Sequence, residues 1–172
     1  MASSSADIQT LAQARDYYRA ELAGVRTVTC YGKRVRVVFE RDATHLFSDG
    51  PDERLSAEEQ QAWVEAIPAE LRVERRLPNG KVEVRRFSEE RARLMGHVLP
   101  AISGFTVSVP GTGNRGHEKR MLHGPALPDG RHIRVLLRPG PGDAFTCVSA
   151  YPVSSEVWVA MTRAKRAKFP PD

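Results

Sequence analysis

Cysteine is scarce, with two among 172 residues, and Cys30 and Cys147 stand 117 positions apart with no Cys or His at ligand spacing. A disulfide framework and a zinc ribbon are both excluded, and free thiols in a reducing compartment are expected. Long apolar runs are missing as well: no stretch approaches the roughly 20 residues that a membrane helix needs. The opening Met1-Ala2-Ser3-Ser4-Ser5-Ala6-Asp7 has neither a basic nor an apolar leader region, so a cytoplasmic protein without membrane partners is expected. Histidine is sparse too. His45, His97, His117, His123 and His132 fall at no metal-helix or deaminase spacing, so no metal and no cofactor are expected.

Lysine is rare in a chain that is nonetheless basic. Of 26 cations only five are Lys and 21 are Arg, and the formal net charge is +5. Arginine's planar fork grips phosphate through two hydrogen bonds where Lys offers a point charge. The charge is also polarised: residues 1–70 carry net −4 and residues 71–172 net +9. A phosphate-bearing partner fits this balance. At 41% hydrophobic the composition is globular, and the length suits one domain over 1–172. Within it we distinguish an N-terminal helix and first strand (1–33), a central region (34–153) and a basic C-terminal segment (154–172).

Periodicity places a helix over Asp7–Ala23 with Gly24 as its cap. A hairpin follows around Tyr31-Gly32-Lys33, with Val35, Val37 and Phe39 alternating against Arg34 and Arg36. Ser56-Ala57-Glu58-Glu59 is a capping box opening a short helix that ends by Pro68, and Pro78-Asn79-Gly80 joins a second hairpin. Ser88 caps a third helix whose stripe is Leu94, Met95, Val98, Leu99 and Ile102. From Phe105 onward the pattern is strands and turns, closed by a short helix within Ser155–Ala167. Helices early and strands late predict α+β: N-terminal helices packed on a mainly antiparallel, twisted sheet.

Gly111-Thr112-Gly113-Asn114-Arg115-Gly116 matches a dinucleotide fingerprint in letters only, because no helix follows to face a pyrophosphate. A glycine loop carrying Arg115 and His117 toward a ligand is the better reading. Metal-free RNA cleavage needs a base for the 2′-hydroxyl, cations for the phosphorane and a proton donor for the leaving oxygen. His45 sits in a polar turn beside Leu46 and Phe47, an arrangement suited to acid-base work near pH 7. Late strands carry Lys119 and Arg120, then His132 and Arg134, then Thr146, Ser149 and Tyr151. Residues two apart share a face, so His132 and Arg134 point together, as do Ser149 and Tyr151.

The order Arg34-Val35-Arg36-Val37-Val38-Phe39, His45-Leu46-Phe47, Arg86-Phe87, Glu90-Arg91-Ala92, Leu99-Pro100-Ala101-Ile102, Asn114-Arg115, Glu118-Lys119-Arg120, Ile133-Arg134-Val135-Leu136-Leu137 and Phe145-Thr146 to Ala150-Tyr151-Pro152-Val153 resembles phage-associated nuclease domains of the barnase/EndoU/colicin/RelE (BECR) superfamily. The resemblance spans about 34–153. It implies a metal-independent ribonuclease, often toxin-like, and singles out His45, Lys119, Arg120 and Tyr151. Ser149 stands where a Thr is expected, and about 52–78 reads as an insertion. The catalytic candidates are His45 or His132 as acid-base group, with Arg120, Arg134, Ser149 and Tyr151. Arg34, Arg36, Arg86, Arg115 and Lys119 are candidates for nucleic-acid contact. The implied partners are RNA, such as tRNA or mRNA, and an immunity or antitoxin protein. The alternative reading is a non-catalytic nucleic-acid-binding or phage structural protein of similar fold.

Overall fold

The computed structural model describes residues 4–111 and 119–171, and it is α+β. A 3-10 turn at Ser5–Asp7 precedes α1 (Leu11–Tyr17), which a capping box between Thr10 and Gln13 opens. The single helix expected over Asp7–Ala23 is therefore split. Thr10 fixes the start at Leu11, and the last turn, Tyr18–Leu22, widens so that the Ala23 N–H reaches back five residues to the Tyr18 carbonyl. Gly24 then takes φ +100° and starts β1.

Six strands form the larger sheet in the order β1 (Gly24–Cys30), β2 (Lys33–Phe39), β9 (Phe145–Val153), β8 (His132–Pro139), β7 (Arg120–Ala126), β6 (Val107–Pro110). All pairings are antiparallel except β2 with β9, which run parallel over Val37–Phe145 and Val38–Thr146 only. Tyr31, just beyond edge strand β1, packs edge-on against Phe105 just before the opposite edge β6, with centroids 5.1 Å apart. The sheet is thus curled far enough to bring its two ends together. Among the described residues no helix is long and apolar enough to cross a membrane.

A smaller sheet pairs β3 (Ser48–Asp49) with β5 (Val82–Phe87) and β5 with β4 (Arg72–Arg76). The stretch read as an insertion builds α2 (Ala57–Glu65), capped by the Ser56–Glu59 box, and strand β4. After Ser88 the expected continuous helix is three pieces: α3 (Glu89–Leu94), a 3-10 turn (Met95–His97) and α4 (Val98–Ser103). Two residues break it. Pro100 has no N–H for the Gly96 carbonyl four residues back. Gly96 itself lies against Ser5, whose Oγ would be 2.4 Å from any Cβ there and accepts the Gly96 N–H.

Val98, Ala101 and Ile102 of α4 are buried with Ile133, Val135 and Leu137 of β8 and with Tyr18 and Leu22 in one core cluster. The final helix α5 (Ser155–Thr162) is shorter than expected. Beyond it the chain returns along β6, where the Ala167 N–H donates to the Ser108 carbonyl, and buries Phe169 against Phe105 and Phe145. The basic terminal segment is therefore part of the packed molecule.

Candidate functional site

Register decides which chemistry-bearing side chains meet. In β8, Ile133, Val135 and Leu137 are buried, so His132, Arg134 and Leu136 share the opposite, outer face. Arg134 lies across from Tyr151 and Leu136 from Ser149, while Leu137 lies across from Cys147. The extra residue, Val148, is a bulge that keeps Thr146, Ser149 and Tyr151 on one face. His123 of β7 joins this row opposite Arg134. The pairings read from two-residue periodicity, His132 with Arg134 and Ser149 with Tyr151, are the ones observed.

Arg120 is not with them. It pairs with Leu137, three positions from Arg134 and hence on the other face. Instead it lines an open groove of about 1100 Å³ with Arg34, Arg36 and Lys33, walled by the Pro139–Phe145 connection and by Pro170 and Pro171. The grouping of Arg120 with Arg134 is corrected accordingly. Lys119 lies just before β7, with its side chain over Gly111. Arg86 is exposed on β5, on the side away from buried Arg85 and Phe87. Arg115, His117 and most of the glycine-rich loop lie outside the described residues.

Because β2 leaves β9 after Thr146, a wedge opens between them, and the turn Thr44–Leu46 packs against β9. Through this wedge Arg91 of α3 reaches the β9 strand. Its Nη2 donates to Ser149 Oγ (2.6 Å) and the Ala150 carbonyl (3.2 Å), and its Nη1 to the Ser48 carbonyl (2.9 Å) and Asp49 Oδ1 (3.0 Å). Arg85 donates to Ser48 Oγ and its carbonyl, both at 2.8 Å. Ser48 is the hub joining the two sheets.

Tyr151 sits between two guanidinium groups, with the Arg91 carbon 5.8 Å and the Arg134 carbon 5.6 Å from its ring centroid. Arg134 donates from Nη1 to the Tyr151 hydroxyl (3.3 Å) and from Nε to His123 Nε2 (2.8 Å). Accepting there makes His123 the Nδ1–H tautomer, and among the described residues buried Nδ1 has no partner. Burial first, then the Arg134 and His132 charges, push the His123 pKa down to about 4, so the ring stays neutral. Arg134 itself forms no ion pair among the described residues.

His45 sits between buried Thr44 and Leu46 in a 3-10 turn, about a third exposed, its Nε2 3.4 Å from Glu83 Oε1. Desolvation holds its pKa below the ordinary histidine value, aided by Arg85, Arg75 and Arg91 and opposed by Glu83. Glu83 also faces Arg85 Nη1 at 3.5 Å. A polar chain thus runs from His45 through Glu83, Arg85, Ser48 and Arg91 to Ser149, Tyr151, Arg134 and His123. His132 lies further along the same outer face, its Nδ1 3.1 Å from the Gly124 carbonyl and its ring stacked 4.5 Å from Trp158 of α5.

Sequence reasoning missed Arg91, Arg85, Glu83, Ser48, Asp49 and His123. Arg91 carried a signal: it occupies the apolar stripe three, four and seven residues before Leu94, Met95 and Val98, where a cation must find buried partners. Arg85 likewise shares the face of Phe87. Among the described residues no three His, Cys, Asp or Glu side chains group to hold a metal. No family model matches the chain, and searches of curated proteins and of solved structures returned no match either.

Proposed function

We propose that the chain is a metal-independent RNA-cleaving nuclease acting by attack of the 2′-hydroxyl, with its centre at the seam between the two sheets. The observation that carries this reading is the pair of guanidiniums flanking Tyr151, one of them, Arg134, meeting no carboxylate among the described residues. Such a pair suits a phosphodiester whose charge grows at the pentacoordinate stage. His45, kept neutral by its surroundings, takes the 2′-hydroxyl proton. The 2′-oxygen bonds to phosphorus, the bond to the 5′-oxygen breaks, and His132 on the outer face returns a proton to that leaving oxygen. The products are a 2′,3′-cyclic phosphate and a 5′-hydroxyl.

The test is incubation of purified protein with labelled RNA and its 2′-deoxy counterpart in excess chelator. Expected are cyclic-phosphate ends on RNA and intact DNA. Arg134→Ala is expected to lower turnover about a hundredfold, on the order of 3 kcal/mol in the barrier. Equal cutting of DNA, or RNA left whole, overturns the reading. RNA bound tightly but left whole favours the binding-module alternative.

A further inference from the structure

The groove that Arg120 lines is separate from the seam, but both lie along β9. Phe145, at the groove, begins the strand whose Ser149 and Tyr151 stand four and six residues on, about 13–20 Å away at ~3.3 Å per residue. The face is continuous as well. Val38 pairs with Thr146, so Arg34 and Arg36, an even number of residues from Val38, project on the Thr146 side of the sheet. Thr146 in turn lies across from Arg138, which shares its face with Arg134. Arg34, Arg36, Arg138, Ser149, Tyr151 and Arg134 therefore lie on one face, with buried Thr146 between them, while Arg120 enters the groove from the other face.

Cations predominate along this path, although Arg138 is paired with Glu40 at 2.6 Å. Arg34 is exposed and forms no ion pair among the described residues, and Arg36 meets only Asp143, at 3.5 Å between two exposed side chains. Among the described residues Asp143 is the single acidic residue lining the groove. A folded duplex needs a broad approach, whereas an open channel walled by Pro139, Pro170 and Pro171 suits a flexible polyanion lying lengthwise. We propose that the groove is a second nucleic-acid subsite, holding the single-stranded segment that continues from the phosphodiester at the seam. This deepens the cleavage reading and rests on it for the choice of RNA.

The experiment measures binding by fluorescence anisotropy of a labelled dinucleotide and a labelled 12-nucleotide single-stranded RNA to the whole chain and to Arg34→Ala/Arg36→Ala. The parent is expected to bind the longer RNA at least tenfold more tightly than the dinucleotide, and the double variant to lose most of that gain. Its salt slope for the longer RNA should flatten by about 1.4, the share of two phosphate contacts on a single strand. Identical affinities and slopes in parent and variant overturn the proposal. So does tighter binding of polyglutamate than of RNA, lost in the variant, which makes the groove a seat for an acidic protein segment. Cleavage is scored separately in the parent: length-dependent binding without cutting removes the nuclease reading and leaves the groove standing. Unchanged thermal melting confirms that the variant is folded.

Discussion

At the scale of single residues, the seam is defined by how each cation is answered. Arg91 is tied to three carbonyl or hydroxyl oxygens and to Asp49, and Arg85 to Ser48, so both are fixed parts of the frame. Among the described residues Arg134 is oriented by neutral groups, His123 and Tyr151, and meets no carboxylate. His45 differs again, being set by opposed influences. Burial and the arginines lower its pKa while Glu83 raises it. If His45 is the base, kcat/KM should fall on the acid side with its limb below pH 6.5, the usual value for histidine. Glu83→Gln removes the one charge that favours the protonated ring, so the limb should move to still lower pH. A pH profile in which Glu83→Gln shifts that limb upward, or leaves it in place, removes His45 from the role.

At the scale of elements, the sheet and α4 are held at a distance set by Gly124. A Cβ there would lie 2.9 Å from Ile133 Cγ2, 3.0 Å from Ala101 Cβ and 3.4 Å from Ala101 Cα, so the helix backbone would have to retreat. Gly124→Ala should cost about 1–3 kcal/mol as overpacking. At roughly 2–4 °C per kcal/mol for a chain of this size, that is a lowered melting midpoint of several degrees. Adding Ala101→Gly should recover part of the loss despite its own helix penalty, and strictly additive effects in the double variant would refute the contact. Legibility in the sequence follows this same division between local and distant. The hairpin of β1 and β2 was readable because Val35, Val37 and Phe39 alternate, and that of β4 and β5 because Gly80 supplies the positive φ the turn needs. Face-sharing of His132 with Arg134 and of Ser149 with Tyr151 was readable from period two, whereas Thr146 joins Ser149 only through the bulge at Val148. Relating Arg120 to Arg134 required the register between β7 and β8, and a displacement of one residue reverses every face. The parallel junction of β2 and β9, only two residue pairs long, left no local trace, and the wedge it opens is where Arg91 and Ser149, 58 positions apart, meet.

At the scale of the whole molecule, two histidines stand within or beside the polar chain that joins the sheets, and both are kept neutral. His123 is fully buried with its pKa pushed down to about 4, and His45 is shifted in the same direction. In the unfolded chain each binds a proton near pH 6.5. Between the folded and unfolded pKa values the unfolded state therefore holds more protons, and stability falls as pH falls. The contribution is complete above about pH 6.5 and lost progressively toward pH 4. For His123 alone the difference between pH 7 and pH 5 amounts to about 2 kcal/mol, with His45 adding in the same sense. Asp52 and Asp129, held down mainly by their hydrogen bonds to Arg54 and Arg131, give up most of their share at lower pH, as pH falls past the ordinary aspartate value of 3.8. Urea titrations at the two pH values should thus show a clearly lower midpoint at pH 5 with an unchanged slope. In His123→Gln the amide oxygen can still accept from Arg134 but the titrating ring is gone, so the drop between pH 7 and pH 5 should shrink to what His45 supplies. A parent midpoint identical at both pH values, or a variant as pH-sensitive as the parent, means that His123 is not the neutral acceptor holding Arg134 at the seam.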